Sequence, residues 1–234
     1  EVEINFNYGG RIDLREGLGR AINNDYYGVN SPPLICKDTV VVGSSIMDYP
    51  AQYLNATSMP PGDVRAYDAI TGLLKWQFHV IPHEGEYGAD TWKNNSYLEG
   101  AGVNVWSTFS CDEELGMVYL PLTTPTNDHF GGDRLGDNLF AESVVAVDIE
   151  TGERRWHYQT VHHGLWDYDL PAAPNLVNVT TESGTEKLLA QVTKQAFLFV
   201  FNRETGQPKW PINETVVPQS TITGEETSLT QPIP

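Results

Sequence analysis

The sequence contains little of what marks several protein classes. It has only two cysteines, Cys36 and Cys111, too few for a disulfide scaffold or a cysteine zinc site. No run of 18 apolar residues occurs, so we expect no helix that spans a bilayer. Basic residues are scarce, with 14 Lys and Arg against 31 Asp and Glu and a net charge of −17. This acidic balance disfavours binding to nucleic acids and to anionic lipid surfaces.

Long amphipathic helices are also missing, since none extends beyond about three turns. In contrast, 21 Gly, 15 Pro and 11% aromatic residues are typical of many short strands joined by tight turns. We therefore expect an all-β chain. The two cysteines are interpreted as small buried thiols; a disulfide between them stays open, because it depends on a geometry that the sequence does not supply.

One phrase occurs three times, over 68–76, 148–156 and 202–210. Each copy has Asp or Asn three residues before a Thr-Gly pair and Trp four residues after the Gly. This order fits a β-hairpin in which the Gly takes a positive φ and the Trp lies on the returning strand. Such a Trp can pack between neighbouring sheets.

Several strand-like runs lie between the copies, so the repeat predicts four-stranded blades of a β-propeller. Propellers close with roughly 4–8 blades, whereas about three to four fit here. We therefore expect residues 1–234 to form one partial propeller domain within a longer protein. The first two phrases begin 80 residues apart, which leaves room for a long insertion over about 81–106, and such insertions often lie over a functional face.

These residues carry a family resemblance. The repeated phrase resembles the tryptophan-docking motif of the pyrroloquinoline quinone (PQQ) dehydrogenases, which are eight-bladed propellers. The segment 160–174 reads T-V-H-H-G-L-W-D-Y-D-L-P-A-A-P and is similar to a signature of the membrane glucose dehydrogenase branch. The T-K-Q at 193–195 looks like the T-K-Q that follows this signature in the same branch. The stretches 41–45 and 62–66 also resemble sequences of this family. The resemblance covers about residues 10–234.

The resemblance places Asp167 at the family's catalytic base, where a carboxylate takes the hydroxyl proton of an alcohol as the carbon gives up hydride. Lys194 falls where a Lys or Arg contacts the quinone oxygens and stabilises negative charge. Without the resemblance, Asp167 would be interpreted as an acid in a loop and Lys194 as a solvated lysine. Asp169 is expected to face away from Asp167 and to be structural.

Three further residues receive roles from the resemblance. Trp106 falls where the family has an indole lying flat on the cofactor, a suitable partner for a planar quinone, with ordinary blade packing as the alternative. His162 and His163 flank the base and would line the substrate site. Neighbours on a strand point in opposite directions, so at most one of the two faces the site, and a structural role stays open for each.

The metal implied by the resemblance is Ca²⁺, with Mg²⁺ as an alternative, which would polarise the quinone carbonyl. Asp48 and Asp167 fall at family ligand positions. The family's asparagine ligand is replaced here by Thr124. The third ligand therefore stays open between Thr124, Thr126, Asn127 and a water molecule.

The resemblance thus implies a PQQ-dependent dehydrogenase that oxidises a sugar, polyol or cyclic alcohol and passes electrons to a quinone. The adjacent-cysteine ring of alcohol-oxidising members is absent, which favours the sugar or polyol branch. A non-enzymatic propeller that serves as a protein-binding scaffold is the alternative. A third possibility is that this open segment neither folds nor binds cofactor alone. The implied location is periplasmic or outward-facing, with inner-membrane association only through segments outside this chain.

Overall fold

The computed structural model describes residues 6–7, 9–20, 22–47, 59–182 and 184–234, so Asp48 lies outside the described residues. The strands are β1 (Tyr27–Gly28), β2 (Leu34–Cys36), β3 (Thr39–Val42), β4 (Ser45–Ile46), β5 (Val64–Asp68), β6 (Leu74–Phe78), β7 (Ser110–Asp112), β8 (Met117–Pro121), β9 (Ser143–Asp148), β10 (Arg154–Gln159), β11 (Asn175–Thr181), β12 (Gly184–Val192), β13 (Leu198–Asn202), β14 (Asn213–Val216) and β15 (Thr230–Ile233). Short 3₁₀ helices cover Asn24–Tyr26, Ala89–Thr91 and Lys93–Leu98. No helix in the described ranges has the length and apolar character that crossing a membrane requires.

The strands form antiparallel sheets along the chain. The first sheet has the order β2-β3-β5-β6 and the second β10-β9-β8-β7. The third sheet, β11-β12-β13, has three strands plus a single bridge between Phe201 and Pro208. On either side of Pro208 the Asn202 N–H donates to the Gln207 carbonyl at 2.8 Å, and the Lys209 N–H donates to the Val200 carbonyl at 2.7 Å. β1 pairs with β4, and β14 pairs with β15.

The predicted hairpin turns are present in all three copies of the phrase. The side-chain oxygen of Asp68, Asp148 or Asn202 accepts the N–H groups two and three residues later, at 2.7–3.1 Å. The glycines that follow take φ of +72°, +72° and +75°, a region that glycine enters without a Cβ penalty. Local hydrogen bonds and one permissive residue therefore close each turn.

Tryptophans join neighbouring sheets. Trp76 of the first sheet donates its indole N–H to the Ile149 carbonyl at 2.8 Å, and its ring covers the glycine of the second sheet's turn. Trp156 of the second sheet donates in the same way to the Arg203 carbonyl at 3.0 Å and covers the third sheet's turn. The third copy, Trp210, is 61% exposed. Each of the first two phrases thus holds the turn of the next sheet.

The second sheet is buried on both faces. Val145 and Val147 of β9 pack in the cluster shared with the first sheet, whereas Val144 and Ala146 pack in the cluster shared with the third. All four are fully buried. Burying a valine side chain is worth about 1.5–3 kcal/mol, so the alternating faces of this strand hold three sheets together.

The interpretation of the cysteines as two free thiols is wrong. Cys36 of β2 and Cys111 of β7 form a disulfide, with their Cα atoms 6.3 Å apart. β2 and β7 are the edge strands of the first and second sheets, and they lie side by side. The bond therefore joins these two sheets at the edge opposite to the tryptophans.

The segment between β6 and β7 packs against the long loop between β8 and β9. Trp92, between the two 3₁₀ helices, is 2% exposed and donates its indole N–H to the Leu139 carbonyl at 2.5 Å. The Thr91 hydroxyl accepts the Leu139 N–H at 2.9 Å. The two loops therefore form one packed layer that leads from β6 to Trp106.

Candidate active site

A loop that connects the second sheet to the third carries the signature segment. It leaves β10, enters β11, and takes positive φ at His163 (+49°) and Asp167 (+54°). Such values are uncommon outside glycine and persist where surrounding contacts enforce them. The Ser107 hydroxyl donates to the Leu170 carbonyl at 3.3 Å, and the Ser110 hydroxyl donates to the Pro174 carbonyl. These bonds tie the loop to the chain around β7.

Lys194 lies opposite this loop, in the turn between β12 and β13. The Thr193 N–H donates to the Phe197 carbonyl at 3.0 Å and fixes the turn. The Lys194 ammonium lies 3.0 Å from Asp167 Oδ1 and 3.1 Å from Asp169 Oδ2. The side chains of Asp167 and Lys194 are 42% and 31% exposed, so the pair faces an accessible surface.

Asp169 is the centre of this site, and the expectation that it faces away from Asp167 is wrong. Its Oδ2 accepts the Trp106 indole N–H at 3.0 Å, and its Oδ1 accepts the Thr124 N–H at 2.7 Å. The loop is not a strand at this point, and residues two apart share a side even in a strand. One carboxylate therefore joins Trp106, Thr124 and Lys194.

The charges of the site perturb one another. Partial burial, followed by the adjacent Asp169 carboxylate, raises the pKa of Asp167. Partial burial alone would lower the pKa of Lys194, but its hydrogen bonds and charge interactions with the two aspartates outweigh burial and raise that pKa. The ammonium is thus held in its charged form between two carboxyl groups.

Two acids near the site escaped the sequence analysis. Burial, followed by the charges of Asp167 and Asp169, raises the pKa of Asp128 to about 6. Glu142 is fully buried, accepts the Thr124 hydroxyl at 2.9 Å, and burial raises its pKa to about 7. The one signal for Glu142 is an isolated acid that follows an apolar run, directly before β9. Asp128 gave none.

The two histidines of the signature segment differ in their surroundings. His163 is 1% exposed, and its Nδ1 lies 2.6 Å from the Gly136 carbonyl and 3.0 Å from Asn138 Oδ1. The ring of His162 lies between Gln159 and Glu214, at 3.0 and 3.2 Å. Neither ring makes a hydrogen bond to the Asp169 network among the described residues. The buried Nε2 of His163 has no hydrogen-bond partner there, so the role of His163 stays a prediction.

The donor set fits the group that the resemblance implies. Carboxylate and amide oxygens are the ligands that Ca²⁺ prefers, and an ammonium beside an indole suits an anionic planar quinone. Among the described residues, the buried Oδ1 of Asn127 has no hydrogen-bond partner, so it is an available hard ligand. The Thr124 hydroxyl donates to Glu142, and a hydroxyl that donates its proton can still offer its oxygen to a cation, so the third ligand stays a prediction.

Comparison with known proteins gives the family. The model of the glucose/ethanol/alcohol dehydrogenase beta-propeller domain of PQQ type matches residues 2–234. The chain belongs to the PQQ dehydrogenase β-propeller family. This confirms the all-β propeller architecture that the Trp repeat predicted, here as a partial set of blades.

Curated relatives extend well beyond this chain. It is 37% identical over 229 residues to the quinate/shikimate dehydrogenase (quinone) of Acinetobacter baylyi, with 97% of this chain and 27% of the relative covered. It is 36% identical to the quinoprotein glucose dehydrogenase of Gluconobacter oxydans, with 97% and 28% covered. The chain therefore spans a little over a quarter of the length of these relatives.

A solved structure of similar fold is that of the quinohemoprotein alcohol dehydrogenase ADH-IIG of Pseudomonas putida. It superposes with a TM-score of 0.67 at 28% identity and covers 94% of this chain and 32% of that one. A europium-containing methanol dehydrogenase also gives a TM-score of 0.67, at 25% identity, over 88% of this chain and 37% of that one. Both likenesses support the propeller fold.

Proposed function

We propose that this chain carries the alcohol-oxidising site of a quinoprotein dehydrogenase. The substrate class is a sugar, polyol or cyclic alcohol, and a quinone is the final electron acceptor. The observation that carries the proposal is the contact of Asp167 with Lys194 at 3.0 Å, in one network with Asp169 and Trp106. The names of the quinate/shikimate and glucose dehydrogenase relatives support this substrate class.

In this proposal the side chains have separate tasks. The Asp167 carboxylate accepts the hydroxyl proton of the substrate. The Lys194 ammonium attracts the carbonyl oxygens of the bound quinone, and Asp169 holds that ammonium and the Trp106 indole at fixed positions. Asp169 is therefore a positioning residue. The partial burial of the network strengthens each of these charge interactions.

Bound PQQ supplies the hydride acceptor, and a divalent ion such as Ca²⁺ supplies a Lewis acid. Lys194 and the face of Trp106 would hold the quinone. Asp167 would reach the ion, together with Asp48 and either Asn127 or Thr124. A periplasmic or outward-facing location, as the resemblance implies, would bring this site to extracellular sugars and alcohols.

The test uses the protein expressed from its whole reading frame and reconstituted with PQQ and Ca²⁺. Turnover is measured with a dye acceptor over a panel of sugars, polyols and cyclic alcohols. Asp167→Asn should lower turnover by about 10²–10⁴-fold, the usual contribution of a general base, because the amide cannot accept the proton. PQQ binding, followed by quenching of indole fluorescence, should persist in this variant.

Asp90→Asn is the matched control, since it makes the same chemical change at an exposed position outside the site. It should leave turnover unchanged. The proposal is wrong if the reconstituted protein oxidises nothing in the panel, or if Asp167→Asn retains full turnover. Absence of PQQ binding would favour the scaffold alternative.

A further inference from the structure

A cluster of two histidines and a glutamate lies at the end of β6 and shares no residue with the Asp169 network. His79 follows β6 directly, and His83 and Glu86 lie in the next turn. His79 Nδ1 lies 2.9 and 3.1 Å from the two Glu86 carboxylate oxygens. One ligand atom from each of the three residues lies within 4.8 Å of the others.

The backbone holds these side chains in place. The His83 N–H donates to Glu86 Oε2 at 2.7 Å, and the Glu86 N–H donates to the His83 carbonyl at 3.0 Å. Gly85, with φ of +82°, allows this tight turn. The carboxylate and His83 are thus fixed by bonds that do not use the imidazole nitrogens of His83.

The two imidazole rings are stacked, with centroids 3.7 Å apart and planes inclined by 19°. The stack brings two potential imidazole ligands into contact with each other, and imidazole binds metals through its neutral form. Burial alone would raise the pKa of Glu86, but the hydrogen bonds from His83 and His79 outweigh it and lower that pKa. The Glu86 carboxylate therefore lies beside two imidazole rings.

A buried aspartate, Asp63, lies near the cluster but is not one of its three residues. Asp63 is 5% exposed; it accepts the Gln77 side-chain amide at 2.7 Å and the Val80 N–H at 3.2 Å. Burial raises its pKa, and the charges of His79 and His83 act against this rise. Asp63 belongs to the stretch 62–66, and the proposed reaction uses no residue of this stretch.

We propose that His79, His83 and Glu86 bind a divalent transition-metal ion of the zinc class, with water in the open positions. Two imidazoles and one carboxylate suit Zn²⁺, Ni²⁺ or Cu²⁺, whereas Ca²⁺ and Mg²⁺ prefer oxygen ligands alone. Around Zn²⁺ the ligand atoms would lie about 3.3 Å apart, so small rotations of exposed side chains suffice. The ion would tie the end of β6 to the loop that carries Trp92.

The experiment titrates the whole protein, without a histidine tag and in excess Ca²⁺, with Zn²⁺ and separately with Co²⁺. Calorimetry should show one tight equivalent of Zn²⁺, Co²⁺ should develop a visible absorption band, and Zn²⁺ should raise the melting temperature. His83→Ala and Glu86→Gln should each weaken Zn²⁺ binding at least tenfold. Glu84→Gln is the matched control and should bind as the wild type does.

All three substitutions alter exposed side chains, so the folded protein should persist, and far-UV circular dichroism checks this. The proposal is overturned if the wild type binds no Zn²⁺ at millimolar concentration. It is equally overturned if both ligand variants bind as tightly as Glu84→Gln, because the ion would then lie elsewhere. None of these readouts depends on dehydrogenase activity.

Discussion

The contact between Trp76 and Gly152 makes the joining of sheets testable through a single methyl group. A Cβ built on Gly152 would lie 2.7–2.8 Å from three carbon atoms of the Trp76 indole. Gly152 also has a φ of +72°. Gly152→Ala should therefore strain the turn and push the indole away from it at the same time.

The loss can be estimated from the structure. An alanine in this backbone region costs about 1–2 kcal/mol. Forcing a methyl group into a packed contact costs about 1–3 kcal/mol. Displacing the buried indole also endangers its 2.8 Å hydrogen bond to the Ile149 carbonyl, and an unsatisfied buried donor costs about 1–3 kcal/mol. We expect Gly152→Ala to lower the free energy of unfolding by about 2–5 kcal/mol from strain and clash, and by up to about 8 kcal/mol if the hydrogen bond is also lost.

Two comparisons separate backbone strain from the clash. Gly19 has a φ of +76° with nothing within 4 Å of its Cβ position, so Gly19→Ala should lose only the backbone cost. In a Trp76→Ala background, Gly152→Ala should likewise fall to about 1–2 kcal/mol. Urea unfolding followed by far-UV circular dichroism measures all four variants. The docking argument would be refuted if Gly152→Ala and Gly19→Ala lowered the free energy of unfolding equally. It would also be refuted if Gly152→Ala kept its full effect in the Trp76→Ala background.

Three other predictions concern different parts of the chain. Replacing both Cys36 and Cys111 by Ala should lower the free energy of unfolding by about 4 kcal/mol, because the bond closes a loop with a sequence separation of 75; an unchanged urea midpoint would contradict this. Burial, followed by the charge of Arg154, lowers the pKa of His157 to about 4. The folded state therefore binds fewer protons than the unfolded state between pH 6.5 and 4, and its stability falls as the pH falls through that window. His157→Gln should lack this loss when melting temperatures are compared at acid pH. Gly206→Ala, whose Cβ would lie 2.6 Å from the docked indole of the second sheet, should weaken PQQ binding about tenfold or more in fluorescence titrations, and more than Gly152→Ala does.

The repeat was predictable because its interactions are local. The Asx turn of Asp148 uses N–H groups two and three residues away, and the glycine conformation depends on that turn alone. The disulfide was not predictable, since Cys36 and Cys111 are 75 residues apart and meet only after two sheets have packed.

The candidate site shows the same division. The resemblance indicated Asp167 and Lys194, and the structure brings their charged groups into contact. Asp169 was misjudged, because its partners Trp106 and Thr124 lie 63 and 45 residues earlier in the chain. No local pattern reports contacts over such separations. The sequence does show two acids that are two residues apart, Asp167 and Asp169, but Lys194 follows Asp169 by 25 residues.

The candidate site lies at the boundary between the second and third sheets. Trp106 and Thr124 belong to segments that flank strands of the second sheet, whereas Lys194 belongs to a turn of the third. Asp169 bonds to all three from the loop between the sheets, so any shift of one sheet against the other must stretch this network. A displacement of about 1 Å is enough to impair catalysis severely. The packing of Trp156 against the turn of the third sheet therefore helps to set the distance between the Trp106 indole and the Lys194 ammonium, which would hold the quinone. This gives a structural tryptophan a measurable role in cofactor binding.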